Sequence, residues 1–241
     1  MKREVHSRAI VVPCYNEEKR LSVQYLSALS NISKAKIYFV NDGSTDKTLD
    51  FLMKLNFAYP TEVINLPRNV GKANALFFGL MQAYRDGFEI IAQVDADGAI
   101  SDEDLLIGFD ILEKDSQYSV SIGARVLFAG SQVKRTNLRK WIGRAVATLI
   151  CLITKLEIYD PQSPCKIYRA TFFSAIEFDK LKTKWFGEVE LLLKHRHNAH
   201  EDVAIKEWPL MHWQEVKGGH LSISSTFEVV LDLFRLFLVR H

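Results

Sequence analysis

The sequence predicts an α/β protein whose mostly parallel sheet is flanked by helices. Over the first hundred residues, short apolar runs rich in β-branched and aromatic residues alternate with longer segments of helical apolar spacing. Polar loops follow the apolar runs, as they do where parallel strands end. Strands separated by helices favour a parallel sheet with helices on both faces, because each crossover returns the chain to the same edge.

Four strands and three helices are expected in this half of the chain. The strands are predicted at 9–12, 37–40, 62–66 and 89–94, and the helices at 17–29, from Ser44 or Thr45 to about residue 55, and at 70–85. Pro13 closes the first strand, and Asn41-Asp-Gly43 breaks the second. Because ligands bind beyond the carboxyl ends of strands in such sheets, the four loops after the strands are expected to converge on one site.

The composition indicates one globular domain, 1–241, without a polyanionic partner. Hydrophobic residues make up 48% and charged residues 25% of the 241 residues, and the formal net charge is only +2. Nucleic acid is therefore not an expected partner. Three cysteines without metal-ligand spacing indicate a reducing compartment. Because the sequence shows neither a signal peptide nor an apolar run of about 18 residues, we expect it not to span a membrane.

Asp95 and Asp97 follow the fourth apolar run, in the sequence Asp95-Ala-Asp-Gly98. Two carboxylates one residue apart at the mouth of a strand supply the hard oxygen ligands that Mg²⁺ and Mn²⁺ prefer, together with substrate phosphates. An Asp-x-Asp at a strand end also forms turns, which is its commoner role when the motif stands alone. Both interpretations stay open on this motif by itself.

Two common nucleotide-binding motifs are missing from the sequence. Gly71-Lys72 matches a phosphate-binding loop only in part, because Leu66 stands where that motif has Gly and Ala73 where it has Ser or Thr. No Gly-x-Gly-x-x-Gly follows the first strand, so the dinucleotide fingerprint is absent. A nucleotide would have to be held by another arrangement.

Four motifs stand in order at the predicted strand ends. They are Val-Val-Pro-Cys-Tyr-Asn-Glu-Glu at 11–18, Val-Asn-Asp-Gly-Ser-Thr-Asp at 40–46, Asn-Val-Gly-Lys-Ala-Asn-Ala-Leu at 69–76 and Asp-Ala-Asp-Gly at 95–98. Together they resemble the family 2 glycosyltransferases, whose mostly parallel, Rossmann-like fold is named GT-A. The resemblance implies a nucleotide-sugar donor and a divalent metal, Mg²⁺ or Mn²⁺, at Asp95 and Asp97, with Asp97 as the main ligand.

The resemblance also implies how the donor would be bound. Pro13 and Tyr15 would line the base pocket, Glu17 would lie near the ribose hydroxyls, and Asp42 would accept a hydrogen bond from a base N–H. Lys72 would face the diphosphate, and the implied nucleotide-binding set is completed by Asn16, Asp95, Ala96 and Asp97. Other roles stay open: a core aromatic for Tyr15, a turn former for Asp42 and a solvated helix-start lysine for Lys72.

In the second half, the resemblance narrows to enzymes that transfer a sugar to a polyprenyl phosphate, the dolichyl-phosphate mannose and glucose synthase group. The motifs are Ile122-Gly-Ala-Arg125, Arg139-Lys140, Asp160-Pro-Gln-Ser-Pro-Cys-Lys166, Glu188-Val-Glu190 and the segment 213–220. The sequence departs from the group at Ala99, where a Gln metal ligand is frequent, at Pro164–Lys166, and at His220, where a Lys is usual. We divide the domain into a nucleotide-sugar-binding half (1–115), an acceptor-binding half (116–223) and a C-terminal amphipathic helix (224–241).

The acceptor half carries a positive region that suits an anionic acceptor. Residues 116–156 contain seven Lys and Arg and no Asp or Glu. A polyprenyl phosphate can attack without a general base, so cations are the main requirement, and the candidates are Arg125, Arg139, Lys140 and Lys166. Arg135 and Arg144 are interpreted as a solvated face.

A sugar hydroxyl would need a general base instead, with Glu188, Glu190 and Asp160 the nearest choices. Glu190 is expected to face the acceptor from a helix or to orient a basic residue. Simple placement of acids at a helix start is the alternative for both glutamates.

Two apolar segments with basic residues, 138–156 and 226–239, either lie on a membrane surface or pack onto the protein. Any attachment is expected to be peripheral, at the cytoplasmic face of the cell membrane, or through a membrane-protein partner. His195, His197 and His200 are interpreted as a solvated helix end rather than a zinc site.

The resulting hypothesis is an inverting, metal-dependent glycosyltransferase that moves a hexose from UDP or GDP to a polyprenyl phosphate. One alternative keeps the donor site but uses a saccharide hydroxyl, as in the assembly of lipopolysaccharide, capsule or O-antigen. Another is a catalytically silent nucleotide-binding scaffold, which Ala99 and His220 favour slightly.

Overall fold

The computed structural model describes residues 7–55, 59–134, 137–214 and 223–239. The strands are β1 (Arg8–Cys14), β2 (Lys36–Asp42), β3 (Thr61–Leu66), β4 (Ile90–Gln93), β5 (Val120–Ala124), β6 (Gln132–Lys134), β7 (Lys166–Arg169), β8 (Ile205–Pro209) and β9 (His212–Gln214). The helices are α1 (Val23–Ser33), α2 (Thr48–Leu52), α3 (Lys72–Arg85), α4 (Asp102–Lys114), α5 (Asn137–Thr154), α6 (Ala170–Phe173), α7 (Gly187–Ala199) and α8 (Ile223–Val239).

A seven-stranded sheet organises the molecule, with strand order β3-β2-β1-β4-β7-β5-β8. Only β7 runs against its neighbours β4 and β5 in this sheet, and the other pairs are parallel. Strands β6 and β9 form a small parallel pair of their own. The predicted α/β fold with a mostly parallel sheet is therefore confirmed.

The strands are buried on both faces, which is why they read as continuous apolar runs. Successive side chains of β1 point to opposite faces, so Ile10 and Val12 belong to one apolar cluster while Val11 belongs to the other. The first cluster includes residues of α1, α2 and α4, and the second includes residues of α3, α5, α7 and α8. Helices thus cover both faces of the sheet, as the alternation predicts.

All three helices predicted in the first half begin later in the structure, α3 by only two residues, because polar loops use the residues before them. The prediction of a helix over 17–29 is wrong at both ends: α1 begins at Val23, where Ser22 caps it by accepting a hydrogen bond from the Tyr25 N–H at 3.2 Å, and it continues to Ser33. Helix α2 is also shorter than predicted, and the Asp46 carboxylate, rather than Ser44 or Thr45, accepts the Thr48 N–H at 2.9 Å.

The predicted C-terminal amphipathic helix is confirmed as α8, which packs against α5 and α7. Its buried face carries Asp232, Leu233 and Leu236. No helix within the described part of the chain is long and apolar enough to cross a membrane. The boundaries between the two halves stay a prediction.

Gly79 provides a test of how tightly α3 lies on the sheet. A Cβ at this position would overlap Val11 and come within 2.7 Å of the Val40 Cγ2 atom. Overpacking of this kind costs about 1–3 kcal/mol, whereas Ala is favoured over Gly in a helix by up to about 1 kcal/mol. Gly79→Ala should therefore lower the urea midpoint, with Gln82→Ala on the same helix as the control. An unchanged or higher midpoint for Gly79→Ala would show that the helix can move away from the sheet at little cost.

Candidate active site

The four predicted loops meet at the carboxyl edge of the sheet. The loop after β1 binds the loop after β2 through Asn16, whose Oδ1 accepts the Thr45 N–H at 2.8 Å. The loop after β2 binds the loop after β3 through Asp42, and Lys72 of that third segment pairs with Asp95 after β4. The predicted convergence on one site is confirmed.

The loop after β1 exposes the ring of Tyr15 and is hydrogen-bonded to the loop after β2 through Asn16. Asn16 has a left-handed backbone (φ 53°), and its N–H donates to Ser44 Oγ at 3.0 Å. Tyr15 is 46% exposed, so the alternative of an ordinary core aromatic is wrong. Pro13 stands one residue before the end of β1, at the same edge.

Glu17 is buried, and its carboxylate binds the guanidinium of Arg20 through two hydrogen bonds, one of them 2.6 Å from Nε to Oε2. The hydrogen bond to Glu17 raises the pKa of Arg20, and the charges of Asp97 and Asp95 act in the same direction. Arg20 therefore lies in the field of the acidic pair. The sequence reasoning missed this residue, although Glu17 three residues earlier was a signal for an ion pair within the loop.

The Asp42 carboxylate forms hydrogen bonds with the loop that follows β3. One carboxylate oxygen accepts the Val70 N–H at 2.7 Å and the other accepts the Gly71 N–H at 3.0 Å. Burial raises the pKa of Asp42, against the opposing effect of these two hydrogen bonds. Gly43 has φ +62°, and a side chain there would lie 2.5 Å from the backbone N of Asn69. Asp42 thus fills the turn-forming role, and its contact with a base stays a prediction.

Lys72, Asp95 and Asp97 form a compact charged group. The Lys72 Nζ atom lies 2.7 Å from Asp95 Oδ1, and the Asp97 carboxylate accepts the Ala99 N–H at 3.1 Å. Burial, and then the charge of Asp95, raise the pKa of Asp97. Desolvation disfavours the charge on Lys72, but the carboxylates of Asp95 and Glu188 outweigh it and raise the pKa of Lys72. Ala96 between the two aspartates is buried in the core.

The acidic pair fits a divalent cation as a partial ligand set. The charge of Asp95 adds to burial in raising the pKa of Asp97, and a hard cation relieves repulsion of this kind between carboxylates. Within the described residues, no group of three or more His, Cys, Asp and Glu side chains comes together as a metal cage. An ion held by Asp95 and Asp97 would take its remaining ligands from water or from a bound diphosphate, as Mg²⁺ usually does.

Glu188, on α7, is close enough to Lys72 for its charge to raise the pKa of that lysine. Gly187, at the start of α7, lies so close to α3 that a Cβ would overlap the Ala73 side chain. This close approach puts Glu188 beside the start of α3, where its Oε1 accepts Gln93 Nε2 at 3.3 Å. Gln93 in turn accepts the Tyr168 hydroxyl at 3.0 Å. Gln93 was not predicted, because a polar residue at the end of an apolar run reads as an ordinary strand terminus.

The predicted acceptor cations Lys166 and Arg125 are both held within the protein. Lys166 is completely buried and its Nζ donates to the Ser163 carbonyl at 2.6 Å. Burial lowers the pKa of Lys166, although Glu188 and Asp160 oppose this effect. Arg125 binds Asp160 through Nε at 2.7 Å and through Nη2 at 2.8 Å. Burial disfavours the Asp160 charge, but these Arg125 contacts outweigh it and lower the pKa of Asp160.

The loop 181–186 is held by polar side chains of three helices, and Glu190 is one of them. Its buried carboxylate accepts the Lys182 and Thr183 N–H groups at 2.9 and 2.8 Å, so it lies in this loop rather than beside Asp97. Asn74 of α3 accepts the Leu181 N–H at 2.9 Å. Asp232 of α8 accepts the Lys184 and Trp185 N–H groups at 2.7 Å each.

The remaining predicted residues either lie apart from Lys72, Asp95 and Asp97 or have side chains outside the described residues. Arg139 and Lys140 lie on α5, but their side chains are outside the described residues, as are Arg135 and the segment 218–220. The interpretation of a solvated helix end is wrong for His195, which is buried, stacks on Phe172 and has its Nδ1 atom 2.8 Å from the Phe172 carbonyl oxygen.

Comparisons with known proteins identify the family of the chain. The profile of glycosyl transferase family 2 matches residues 9–176. The chain belongs to glycosyltransferase family 2. It is 30% identical over 243 residues to the dolichyl-phosphate β-glucosyltransferase ALG5A of Trichomonas vaginalis, covering 95% of this chain and 72% of that protein. The enzyme is thus a glycosyltransferase.

Two further proteins resemble this glycosyltransferase at lower sequence identity. It is 25% identical over 178 residues to the undecaprenyl-phosphate mannosyltransferase of Micrococcus luteus, which covers 73% of this chain and 72% of that one. The crystal structure of glucosyl-3-phosphoglycerate synthase from Mycobacterium tuberculosis with Mn²⁺, uridine diphosphate and phosphoglyceric acid superposes with a TM-score of 0.71 at 16% identity. That superposition covers 98% of this chain and 78% of the other, and the predicted GT-A fold is confirmed.

The raised pKa of Asp97 has a consequence for stability in the absence of divalent ions. A carboxyl group whose pKa is raised on folding contributes stability below its unfolded pKa of about 4, and this contribution is lost as pH rises through the folded pKa. Asp97→Asn should therefore raise the thermal midpoint at pH 7 and flatten its dependence on pH above about 4. Asp46→Asn is the control: hydrogen bonds from Thr48 outweigh desolvation and lower the pKa of Asp46, so this variant should be less stable at pH 7. A lower midpoint for Asp97→Asn would contradict the electrostatic account.

Proposed function

We propose that this enzyme transfers a hexose from a nucleotide sugar to a polyprenyl phosphate, with Mg²⁺ or Mn²⁺ as cofactor and with inversion at the sugar. The observation that carries the proposal is the Lys72, Asp95 and Asp97 group, at the edge where the four loops of a family 2 chain meet. The acceptor is supported by relatives whose names specify dolichyl phosphate and undecaprenyl phosphate. Those names differ in the sugar, so the proposal is limited to a hexose.

In this proposal the donor lies across the loops after β1, β2 and β3. The exposed ring of Tyr15 offers a flat apolar face for a base beside Pro13, and Asp42 lies at the same edge. Glu17, held rigid by Arg20, would meet the ribose hydroxyls. Lys72 would shift from Asp95 toward the diphosphate, whose negative charge would take the place of that carboxylate.

Asp97 and Asp95 would hold the divalent ion, with Asp97 as the main ligand because, among the described residues, no cation pairs with it as closely as Lys72 pairs with Asp95. When bound, the ion supplies Lewis-acid neutralisation of the charge on the departing diphosphate. The positive side chain of Arg20 lies in the field of both aspartates and would add to this neutralisation.

A phosphate acceptor is an anion near neutral pH and requires positive charge more than a base. Lys166, Arg125 and Arg139 are the candidates, and their sites lie in or near the positive region 116–156. Arg125 would have to exchange its Asp160 contact for the acceptor, whose phosphate can be bound in the same bidentate way as the carboxylate. Because the acceptor is a lipid, we place the reaction at the cytoplasmic surface of a membrane.

A saccharide hydroxyl is the second candidate acceptor, and the position of Glu188 favours it. This carboxylate lies next to Gln93 and in the field of Lys72, where a base could remove a proton from a hydroxyl group. Glu190 is not proposed as the base, because backbone N–H groups of the loop 181–186 occupy its carboxylate.

Transfer can be tested with purified protein, Mn²⁺ or Mg²⁺, and a panel of labelled nucleotide sugars offered with undecaprenyl phosphate or a saccharide. We expect label in the organic phase, as a lipid that mild acid cleaves.

Asp97→Asn should reduce transfer at least about a hundredfold while the protein stays folded, since charge stabilisation of this kind contributes several kcal/mol. Transfer to saccharide alone would overturn the acceptor, and full activity of Asp97→Asn would overturn the metal site. Nucleotide binding without any turnover would favour the scaffold.

Glu188→Gln separates the two acceptors. General base catalysis contributes about 10²- to 10⁴-fold, so a hydroxyl acceptor predicts a loss of that size in kcat. A phosphate acceptor needs no base, and we expect a loss below about tenfold, because Gln keeps the side-chain shape and the contact with Gln93. Glu62→Gln on β3 is the control, since Glu62 pairs with Lys36 away from the site. A kcat that falls a hundredfold for Glu188→Gln would contradict the phosphate acceptor.

A further inference from the structure

Helices α5 and α8 pack against each other and show apolar side chains to solvent. On α5 the exposed residues recur along one face, and Trp141 and Leu152 are 73% and 71% exposed. On α8 the residues Val230, Phe234 and Leu238 recur at every fourth position, with Phe234 61% exposed. The opposite faces are buried, with Ile150 of α5 and Leu236 of α8 in the core.

The described part of the chain does not cover this apolar surface. Side chains such as Trp141 and Phe234 would each bury a large apolar area if they were covered, and adjoining exposed apolar residues mark an interaction surface. The helices lie on the side of the sheet opposite to α1, α2 and α4. The surface is therefore distinct from the face that those three helices cover.

Charge indicates the occupant of this surface. The segment 116–156, which ends with α5, contains seven basic residues and no acidic residue, and Lys155 at its end is exposed. The acidic residues on α8 are paired: Asp232 with Arg235 at 2.7 Å, and Glu228 with Lys184 at 2.9 Å. Helices with Trp, Phe and Leu on one face and basic residues beside it bind the interface of anionic bilayers.

We propose that the surface formed by Trp141, Leu149, Leu152, Val230, Phe234 and Leu238 docks onto a bilayer that carries anionic headgroups. The helices lie in the plane of the interface, with these side chains among the acyl chains and the exposed Lys155 at the headgroups. The docking does not depend on the proposed reaction, so it can fail while the transfer stands.

Vesicles without donor or acceptor test this surface. The full chain should sediment with vesicles of phosphatidylcholine that contain about 30% phosphatidylglycerol, and much less with phosphatidylcholine alone, and high salt should weaken the binding. Phe234→Ser and Leu152→Ser should each weaken binding about tenfold or more. Lys155→Gln should weaken it about fivefold, the factor expected for one cation near an anionic surface.

Met53→Ser is the matched control, because Met53 is 68% exposed next to α2, on the other side of the sheet. Its binding should equal that of the unchanged protein. Circular dichroism of each variant excludes unfolding as the cause of lost binding. Equal losses for Met53→Ser and Phe234→Ser, or no preference for anionic vesicles, would overturn the proposal. So would a dimer in sedimentation velocity that Phe234→Ser separates, since the surface would then cover a second copy of the chain.

Discussion

The ion pair between Lys72 and Asp95 joins the two segments on which the candidate site depends. Lys72 begins α3 and Asp95 follows β4, so a single contact of 2.7 Å joins the start of the α3 crossover to the end of a central strand. It also offsets part of the repulsion between Asp95 and Asp97, which stand one residue apart. Without a cation in this position, the two carboxylates would repel each other more strongly. A diphosphate and its metal would therefore replace an existing charge balance rather than create a new one.

In the neighbouring loops, side-chain oxygens accept hydrogen bonds from backbone N–H groups that lie beyond the ends of the strands. Asp42 binds the N–H groups of Val70 and Gly71, and Asn16 binds those of the loop after β2. These contacts leave the loops little freedom before any ligand arrives. Preorganisation of this kind reduces the ordering cost of binding, which is consistent with a site for a large, charged donor.

The sequence alone predicted the strands and the convergence of the loops, because apolar periodicity and turn residues are local signals. It did not predict where α1 begins, since the segment before it forms a loop around the Glu17–Arg20 pair. It also placed Glu190 toward the acceptor, whereas the carboxylate turns to the loop 181–186. The position of that loop depends in turn on a contact between Leu181 and Asn74, residues 107 positions apart, which leaves no local pattern in the sequence.

The three anchors of the loop 181–186 come from three different helices, with Asn74 on α3, Glu190 on α7 and Asp232 on α8. Opening this loop is therefore not a local fluctuation, because it breaks contacts with elements that belong to the main core. Segments held in this way open cooperatively, with a free energy closer to that of global unfolding than to that of a free loop. The start of α7 consequently has the rigidity of the core, and the loop 181–186 links α8, through Asp232, to the helix that carries Glu188.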